Sequence, residues 1–418
     1  MIQSEETIHT SVPCPFCGLA CDDLEVRVAD GRAKVVANGC PRSVALFEQE
    51  ALAQPSIEGR PVSVAEAIAR AAEILRAASQ PLIGGLAADV NGVRGALALA
   101  DRIGAVVDHV NSRAMLRNLL ALQDSGWIAT TFAEVRNRAD FVLVVGAIEQ
   151  RFPRFFERLL PRESMFVAGN REVVYLGEGH ARPPVTLPSG TVWQSIACGY
   201  ESLAEIFAAL RSLLGNRALQ AVQVGGTSIV DWQSLLERMK QASYGVVVWA
   251  AAEFDFPHAE LLVQAMSALV TELNETTRFA VLPLAGNDAD LTASQVITWQ
   301  SGYPVCVNFA GGTPDYDPHR FSVEAMLGNA EADALLWIAS FDPDRLPPQT
   351  SVPTIVLGRP GMRFASPPAV YIPVATPGLH HAGHFFRSDN VVALHLRKLV
   401  DSALQSTAET LTQIATRL

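Results

Sequence analysis

The sequence predicts an α/β protein: a small cysteine-bearing β domain followed by two doubly wound α/β domains. Three observations carry that expectation. Short apolar strands alternate with amphipathic helices along most of the chain, which implies parallel sheet and right-handed crossovers. Four of the six cysteines lie within the first 40 residues, around a hairpin pattern. The length of 418 residues exceeds what one hydrophobic core supports.

Residues 1–60 read as a segment of their own. Leu24-Glu25-Val26-Arg27-Val28 alternates, Asp30-Gly31 is a turn signal, and Ala33-Lys34-Val35-Val36 returns, so a β-hairpin is expected with cysteines before and after it. Gln54-Pro55-Ser56 and Gly59-Arg60-Pro61 punctuate the chain as a linker. The period then changes: helices are expected at 64–78, 91–103 and 113–123, with strands at 81–85, 106–107 and 141–146. Gly84-Gly85, inside the first of these strands, is too short for a phosphate loop and reads as a site of close packing. Further along, strands are expected at 164–168, 244–249 and 279–283, separated by helices at 190–214, 230–242 and 258–274. The last hundred residues read as a helix at 321–329, strands at 334–339, 354–357 and 370–373, and a closing helix from about 389.

Composition excludes several classes of function. With 49% hydrophobic and 18% charged residues, the chain belongs with packed globular proteins. A net charge of −11 argues against a nucleic-acid partner, which selects basic faces. No apolar run approaches the roughly 18 residues that span a bilayer. The first ten residues lack a basic start and an apolar signal core, giving the expectation of a cytoplasmic protein.

The strongest chemical signal is Cys14-Pro-Phe-Cys17-Gly-Leu-Ala-Cys21, with Cys40 further on. Four thiolates at this spacing can converge on one centre, the hairpin returning the fourth, while Gly18 and Gly39 free the backbone around it. Zinc and a 4Fe–4S cluster both accept four thiolates, and spacing does not separate them. Other candidates carry less. Cys198 and Cys306 sit apart in apolar surroundings and read as buried thiols. His380, His381 and His384 with Asp389 invite a metal reading but lie in a glycine-containing loop, and His9 reads as solvated. Glu253 with Asp255, and Asp342 with Asp344, follow strands, where carboxylates usually cap helices or face solvent. There is no Gly-x-Ser-x-Gly elbow, Walker loop or His-Glu-x-x-His helix.

The cysteine spacing, with Asp22-Asp23-Leu24 and a hairpin after it, resembles the cluster domain of molybdopterin and tungstopterin oxidoreductases. Asn287, Thr298-Trp299-Gln300-Ser301-Gly302-Tyr303-Pro304 and Gly311-Gly312-Thr313-Pro314 resemble a signature of the B subunits of formylmethanofuran dehydrogenases. Leu120-Ala121-Leu122-Gln123-Asp124, Glu134-Val135-Arg136-Asn137-Arg138-Ala139-Asp140 and the tail Ala382-Gly383-His384-Phe385-Phe386-Arg387-Ser388-Asp389-Asn390-Val391 extend the likeness over most of the chain. The resemblance implies a molybdopterin-oxidoreductase-like fold without a C-terminal barrel. In that layout residues 1–60 form the four-cysteine metal domain, 61–150 pair with 320–418, and 151–319 form an inserted domain. It also implies a pterin dinucleotide held between two α/β domains, with a cysteine on Mo or W.

Two departures from that family matter. Its metal-ligating cysteine falls just before the Leu-Ala-Leu-Gln stretch, where this chain reads Asn111-Ser112-Arg113-Ala114-Met115-Leu116-Arg117-Asn118, and no cysteine occurs between Cys40 and Cys198. A thioether such as Met115 is a weak, neutral substitute for a thiolate. Past the strand ending at Gly146 the chain carries Glu149, Gln150 and Phe152 where an Asn-Pro turn is expected, a poor setting for a pyrophosphate despite Arg151 and Arg154. No molybdopterin or tungstopterin is therefore expected, and no catalytic residue is assigned. The pattern is similar to the B-like subunits of the formyltransferase/hydrolase complexes of methylotrophic bacteria. That resemblance implies a non-catalytic subunit of a complex converting formyl-tetrahydromethanopterin to formate. Its expected partners are a zinc-dependent hydrolase, a formyltransferase, a C-type subunit and a methanofuran-like carrier. The alternatives are an active Mo/W-pterin formylmethanofuran dehydrogenase chain and a free-standing metal-binding scaffold.

Overall fold

The computed structural model describes residues 6–49, 53–161, 163–167, 169–178, 187, 189–284 and 286–418. The chain divides into two compact units: Met1–Ser112 with Asn287–Ser388 and Val392–Leu418, and Arg113–Gly286 with Asp389–Val391. The changeovers lie at 112/113 and 286/287, whereas the expected domain boundaries are 150/151 and 319/320. The strand Phe141–Val145 explains the first shift, because it pairs with strands of the second unit on both sides.

The first unit opens with a three-stranded antiparallel sheet of Thr7–Val12, Leu24–Ala29 and Arg32–Ala37. The hairpin turns at Asp30 and Gly31, both at positive φ, as a two-residue turn between right-twisted strands requires. The unit's main sheet has nine strands. Val106–Val107, Pro81–Ala87, Ala334–Ala339, Thr354–Gly358 and Val370–Pro373 form its parallel centre, flanked by short antiparallel pairs. These central strands are buried along their whole length, as a sheet covered on both faces demands. Helices Val64–Ala77, Val90–Ile103, Asp290–Ser301 and Thr407–Ala415 supply Ile68, Leu97, Val296 and Leu411 to the same core. Gly84 and Gly85 sit at a bulge against Trp337 and Ile338; a Cβ on Gly85 would stand 2.5 Å from the Ile338 carbonyl oxygen. Close packing is what these glycines provide.

In the second unit, Thr191–Ala197, Arg171–Gly177, Phe141–Val145, Gly245–Ala250 and Phe279–Leu284 form one parallel sheet in that spatial order. Numbered along the chain this is 3-2-1-4-5, a doubly wound sheet whose order reverses between Phe141–Val145 and Gly245–Ala250. Phe207, Leu210, Trp232, Leu236, Met266 and Phe279 are among the side chains of its core.

Four expectations are corrected. The described residues of 164–168 form no strand; the strand is Arg171–Gly177, whose Val173, Val174 and Leu176 are buried. The helix expected over 190–214 is a strand, Thr191–Ala197, then a helix, Leu203–Leu214, because its first third pairs in parallel with Arg171–Gly177. The closing helix begins at Thr407, capped by Ser406, not near 389; Ala393–Leu396 instead pairs with Gly383–Phe386. The helix Asp290–Ser301 was not foreseen. Among the described residues, no helix is long and apolar enough to cross a membrane.

Candidate functional site

The four N-terminal cysteines hang on the three-stranded sheet of the first unit. Cys14, Cys17 and Cys21 are buried and Cys40 is half-buried. Two backbone hydrogen bonds close the loop, Cys14 N to Cys21 O at 2.7 Å and Ala20 N to Cys17 O at 3.0 Å. Cys40 is the N-cap of the helix Pro41–Glu48: its Sγ accepts from Ser43 N at 3.4 Å while its own N–H donates to Ser43 Oγ at 2.9 Å. Gly39 is needed for space, since a Cβ there would meet Val35 Cγ1 at 2.6 Å. Phe16 packs edge-on against Phe47 with ring centres 5.0 Å apart, and the Arg359 guanidinium lies 5.1 Å over the Phe16 ring.

Burial is the main cause that pushes the Cys14 thiol well up and the Cys17 thiol up to about 12, and repulsion from the neighbouring cysteines adds to it. The four sulfurs therefore share one electrostatic environment. In donor chemistry and burial the set suits a tetrathiolate centre, whose ion would displace the thiol protons. The side chains do not stand in ligand geometry, however. Among the described residues, no group of three or more His, Cys, Asp or Glu is placed to hold a metal ion.

The second unit contains the position where the family's Mo/W ligand is expected. Ala114 and Met115 are buried in the helix Ser112–Ser125. Arg117, also buried, donates to Ala251 O and to Asp255 Oδ1, each at 2.8 Å. Asn118 Oδ1 accepts from Trp249 Nε1 at 2.9 Å. The helix is thereby fastened to the carboxyl end of the strand Gly245–Ala250, and its residues are committed to packing.

The point where the strand order reverses, the usual crevice for a ligand in a doubly wound sheet, is acidic. Arg151 Nε pairs with Glu253 Oε1 at 2.5 Å. Tyr200 Oη accepts from Ala147 N at 3.4 Å, and its phenol is pushed up by burial first and by Glu253, Glu178 and Glu149 as well. Tyr175 is raised too, chiefly by burial. An anionic pyrophosphate would face these carboxylates, and one of the nearby cations is already paired.

The remaining candidates are dispersed. His380 Nδ1 accepts from Thr376 N at 3.1 Å, and burial pushes that imidazole down to about 4. His384 lies across a hairpin from His395, with ring centres 5.2 Å apart and planes tilted by 56°, and Asp389 accepts from Phe132 N at 2.9 Å. His9 is half-buried on the first strand. Asp255 is paired with Arg117, Asp342 accepts from Arg42 at 2.9 Å, and Asp344 N donates to Asp342 Oδ1 at 2.9 Å. Cys198 is pushed up to about 11 by burial, and Cys306 donates to Asp108 Oδ1 at 3.3 Å. Asp108 escaped sequence reading altogether. It is buried and accepts from Ser112 Oγ at 2.8 Å and from the backbone of His109 and Val323 at 2.9 Å each, a hub with no local sequence signal.

No protein-family model matches the chain. Individual relatives do. It is 29% identical over 94% of its length to the B subunit of tungsten-containing formylmethanofuran dehydrogenase 2 of Methanocaldococcus jannaschii, covering 93% of that protein. It is 30% identical over 87% of its length to the B subunit of the formyltransferase/hydrolase complex Fhc of Methylorubrum extorquens, covering 96% of that protein. Among solved structures it matches a chain of the formyltransferase/hydrolase complex FhcABCD from Methylorubrum extorquens, in complex with methylofuran. The TM-score is 0.72 and the identity 28%, with 87% of this chain and 98% of that chain covered. The mixed α/β architecture matches that fold, and the chain belongs to the family that unites the B subunits of formylmethanofuran dehydrogenases and of the Fhc complexes.

Proposed function

We propose that this chain is a non-catalytic B-type subunit of a cytoplasmic formyltransferase/hydrolase complex. The complex would convert formyl-tetrahydromethanopterin to formate in the one-carbon metabolism of a methylotroph. The carrying observation is the segment around Ala114, where a metal thiolate is required for the dehydrogenase reaction. It holds a buried alanine in a helix locked by Arg117 and Asn118, and no cysteine occurs between Cys40 and Cys198. The acidic lining at Glu149, Glu178 and Glu253 supports the same reading, because a pterin dinucleotide brings two phosphates. The proposed layout is that of molybdopterin oxidoreductases, with the redox centre lost. Its partners would be a zinc-dependent hydrolase, a formyltransferase and a C-type subunit, with a methanofuran-like carrier delivered among them.

Cys14, Cys17, Cys21 and Cys40 would then hold a structural Zn or an idle 4Fe–4S cluster. With no catalytic metal to serve, the centre cross-links a small domain and carries no current. Co-purification tests this reading. The chain is expected to bring down the hydrolase and transferase partners, and their complex to release formate from the formyl carrier without an electron acceptor. Reduction of an added redox dye with oxidation of the released formate to CO2 would point to the rival, an active Mo/W dehydrogenase chain.

A further inference from the structure

In the first unit, the loop 375–383 meets the N-termini of the helices Val90–Ile103 and Thr407–Ala415, and polar groups gather there that formyl transfer does not use. The loop is fastened to the neighbouring segment by Ala375 N donating to Gln405 O at 2.8 Å, and it turns through His380 N donating to Thr376 O at 2.9 Å. Asp89 caps the first helix, accepting from Gly92 N at 3.1 Å. A Cβ placed on Gly92 would lie 3.2 Å from Asp89 Oδ1 and 3.3 Å from Thr407 Cβ, and one placed on Gly383 would lie 2.8 Å from Asp89 Oδ2. His381 acts electrostatically on both Asp89 and Glu409. Three separated segments thus bring Asp89, Thr376, His381, Gln405, Thr407 and Glu409 to one place.

Four buried atoms there find no hydrogen-bond partner among the described residues: Thr376 Oγ1, Thr407 Oγ1, Gln405 Oε1 and His381 Nε2. Thr376 is 0% and Thr407 1% exposed. His381 Nδ1 lies 2.8 Å from Ala382 O, so that nitrogen carries a proton and donates. Folded proteins tolerate such a group of buried polar atoms when an ion or solvent satisfies them. Gln405 Oε1 can only accept and the two hydroxyls can accept as well, so a positive or donating partner satisfies all three oxygens. An anion is disfavoured even beside two helix N-termini, because it would face the Asp89 carboxylate, and Gly92 N, Glu409 N and Ser406 N already donate to Asp89, Ser406 and Glu409. A divalent ion would want more carboxylates than Asp89 offers, since Glu409 is spent on its capping box with Ser406.

We propose that this site binds a monovalent cation of alkali size, Na+ or K+, through the oxygens of Thr376, Thr407 and Gln405, with Asp89 balancing its charge. Hard cations take oxygen ligands of this kind. The decisive experiment soaks crystals of the intact chain in thallium(I) acetate. An anomalous difference peak within ligand distance of the Thr376 and Thr407 hydroxyls is expected. Water density without anomalous signal at that position overturns the proposal. In solution, at constant ionic strength, Tm is expected to be about 2–4 °C higher in potassium or sodium chloride than in choline chloride. Thr407→Ser is expected to keep that difference and Thr407→Val to remove it. A wild-type Tm indifferent to the cation also counts against the site.

Discussion

Gly18 donates its backbone N–H to Oδ1 of Asn287 at 3.1 Å, a buried hydrogen bond across 269 residues of sequence. Its carbonyl accepts from Ser388 N at 2.8 Å, and Asn287 O accepts from Asn111 Nδ2 at 2.7 Å. Gly18 lies between Cys17 and Cys21, so both polar groups of the cysteine loop's middle residue are satisfied by distant parts of the first unit. The fold alone holds the loop, with three buried thiols and the half-buried Cys40 on side chains that do not stand in ligand geometry. Asn287 is also the residue that resemblance singled out ahead of the Trp299 signature, and the hydrogen bond gives it a physical task.

Asn287→Ala removes that acceptor and strands a buried N–H. A loss of about 1–3 kcal/mol in unfolding free energy is expected, read from the urea midpoint, together with a lower metal content per chain. A variant that keeps wild-type stability and metal would separate the loop from this bond.

The helix carrying Ala114 supplies a contrast between two arginines. Arg117 is buried and spends its guanidinium on Ala251 O and Asp255; Arg113 is exposed and stands 3.5 Å from Asp255. Arg117→Ala is expected to cost about 2–3 kcal/mol by leaving the buried Ala251 carbonyl unmet and emptying a packed position, whereas Arg113→Ala is expected to stay within about 0.5 kcal/mol. Equal effects in urea titrations would refute the packing role given to Arg117.

Introducing a thiol at Ala114 tests whether that one residue decides the capacity for pterin chemistry. Ala114→Cys is expected to acquire neither Mo nor W and no formate-dependent dye reduction, because the acidic groups at the strand-order reversal are unchanged. Metal uptake by this single variant would show that the crevice still accepts the cofactor.

His109 gives a pH dependence. Burial pushes its imidazole down to about 3, well below its ordinary value near 6.5, and Nε2 lies 3.0 Å from Ser294 Oγ. The unfolded chain binds this proton more readily than the folded one. Stability from this residue is therefore full above about pH 6.5 and declines toward pH 3, by up to ~1.4 kcal/mol per pH unit within that window. His380, pushed down to about 4, adds in the same sense. His109→Gln is expected to flatten the fall between pH 6.5 and 5, measured by urea unfolding at each pH; an unchanged slope would assign it elsewhere.

Much of the fold was legible from periodicity. The hairpin at Leu24–Ala29 and Arg32–Ala37, the apolar run Phe141–Val145 and the capped helix Val64–Ala77 each announce themselves locally. The failures share one cause. Thr191–Ala197 is an edge strand, partly exposed, and only its register against Arg171–Gly177 makes it a strand. Residues 393–396 were likewise drawn into a hairpin by Gly383–Phe386, a partner that local sequence does not reveal. At the site, the cysteines were visible because they cluster in sequence. Asp108 and Tyr200 were invisible because Val323 and Cys306 beside the one, and Ala147 and Glu253 beside the other, come from remote segments.

The central claim is that the chain keeps a cysteine-held metal and has lost the pterin metal. Elemental analysis of the intact complex, combined with extraction and fluorescence detection of oxidised pterin, tests it most directly. Zinc or iron equivalent to one tetrathiolate centre is expected for each copy of this chain, beyond any zinc that the proposed hydrolase partner brings. No Mo, W or pterin is expected, and that centre is expected to be lost when Cys14 and Cys17 are both replaced by serine. Stoichiometric Mo or W with extractable pterin would contradict the claim.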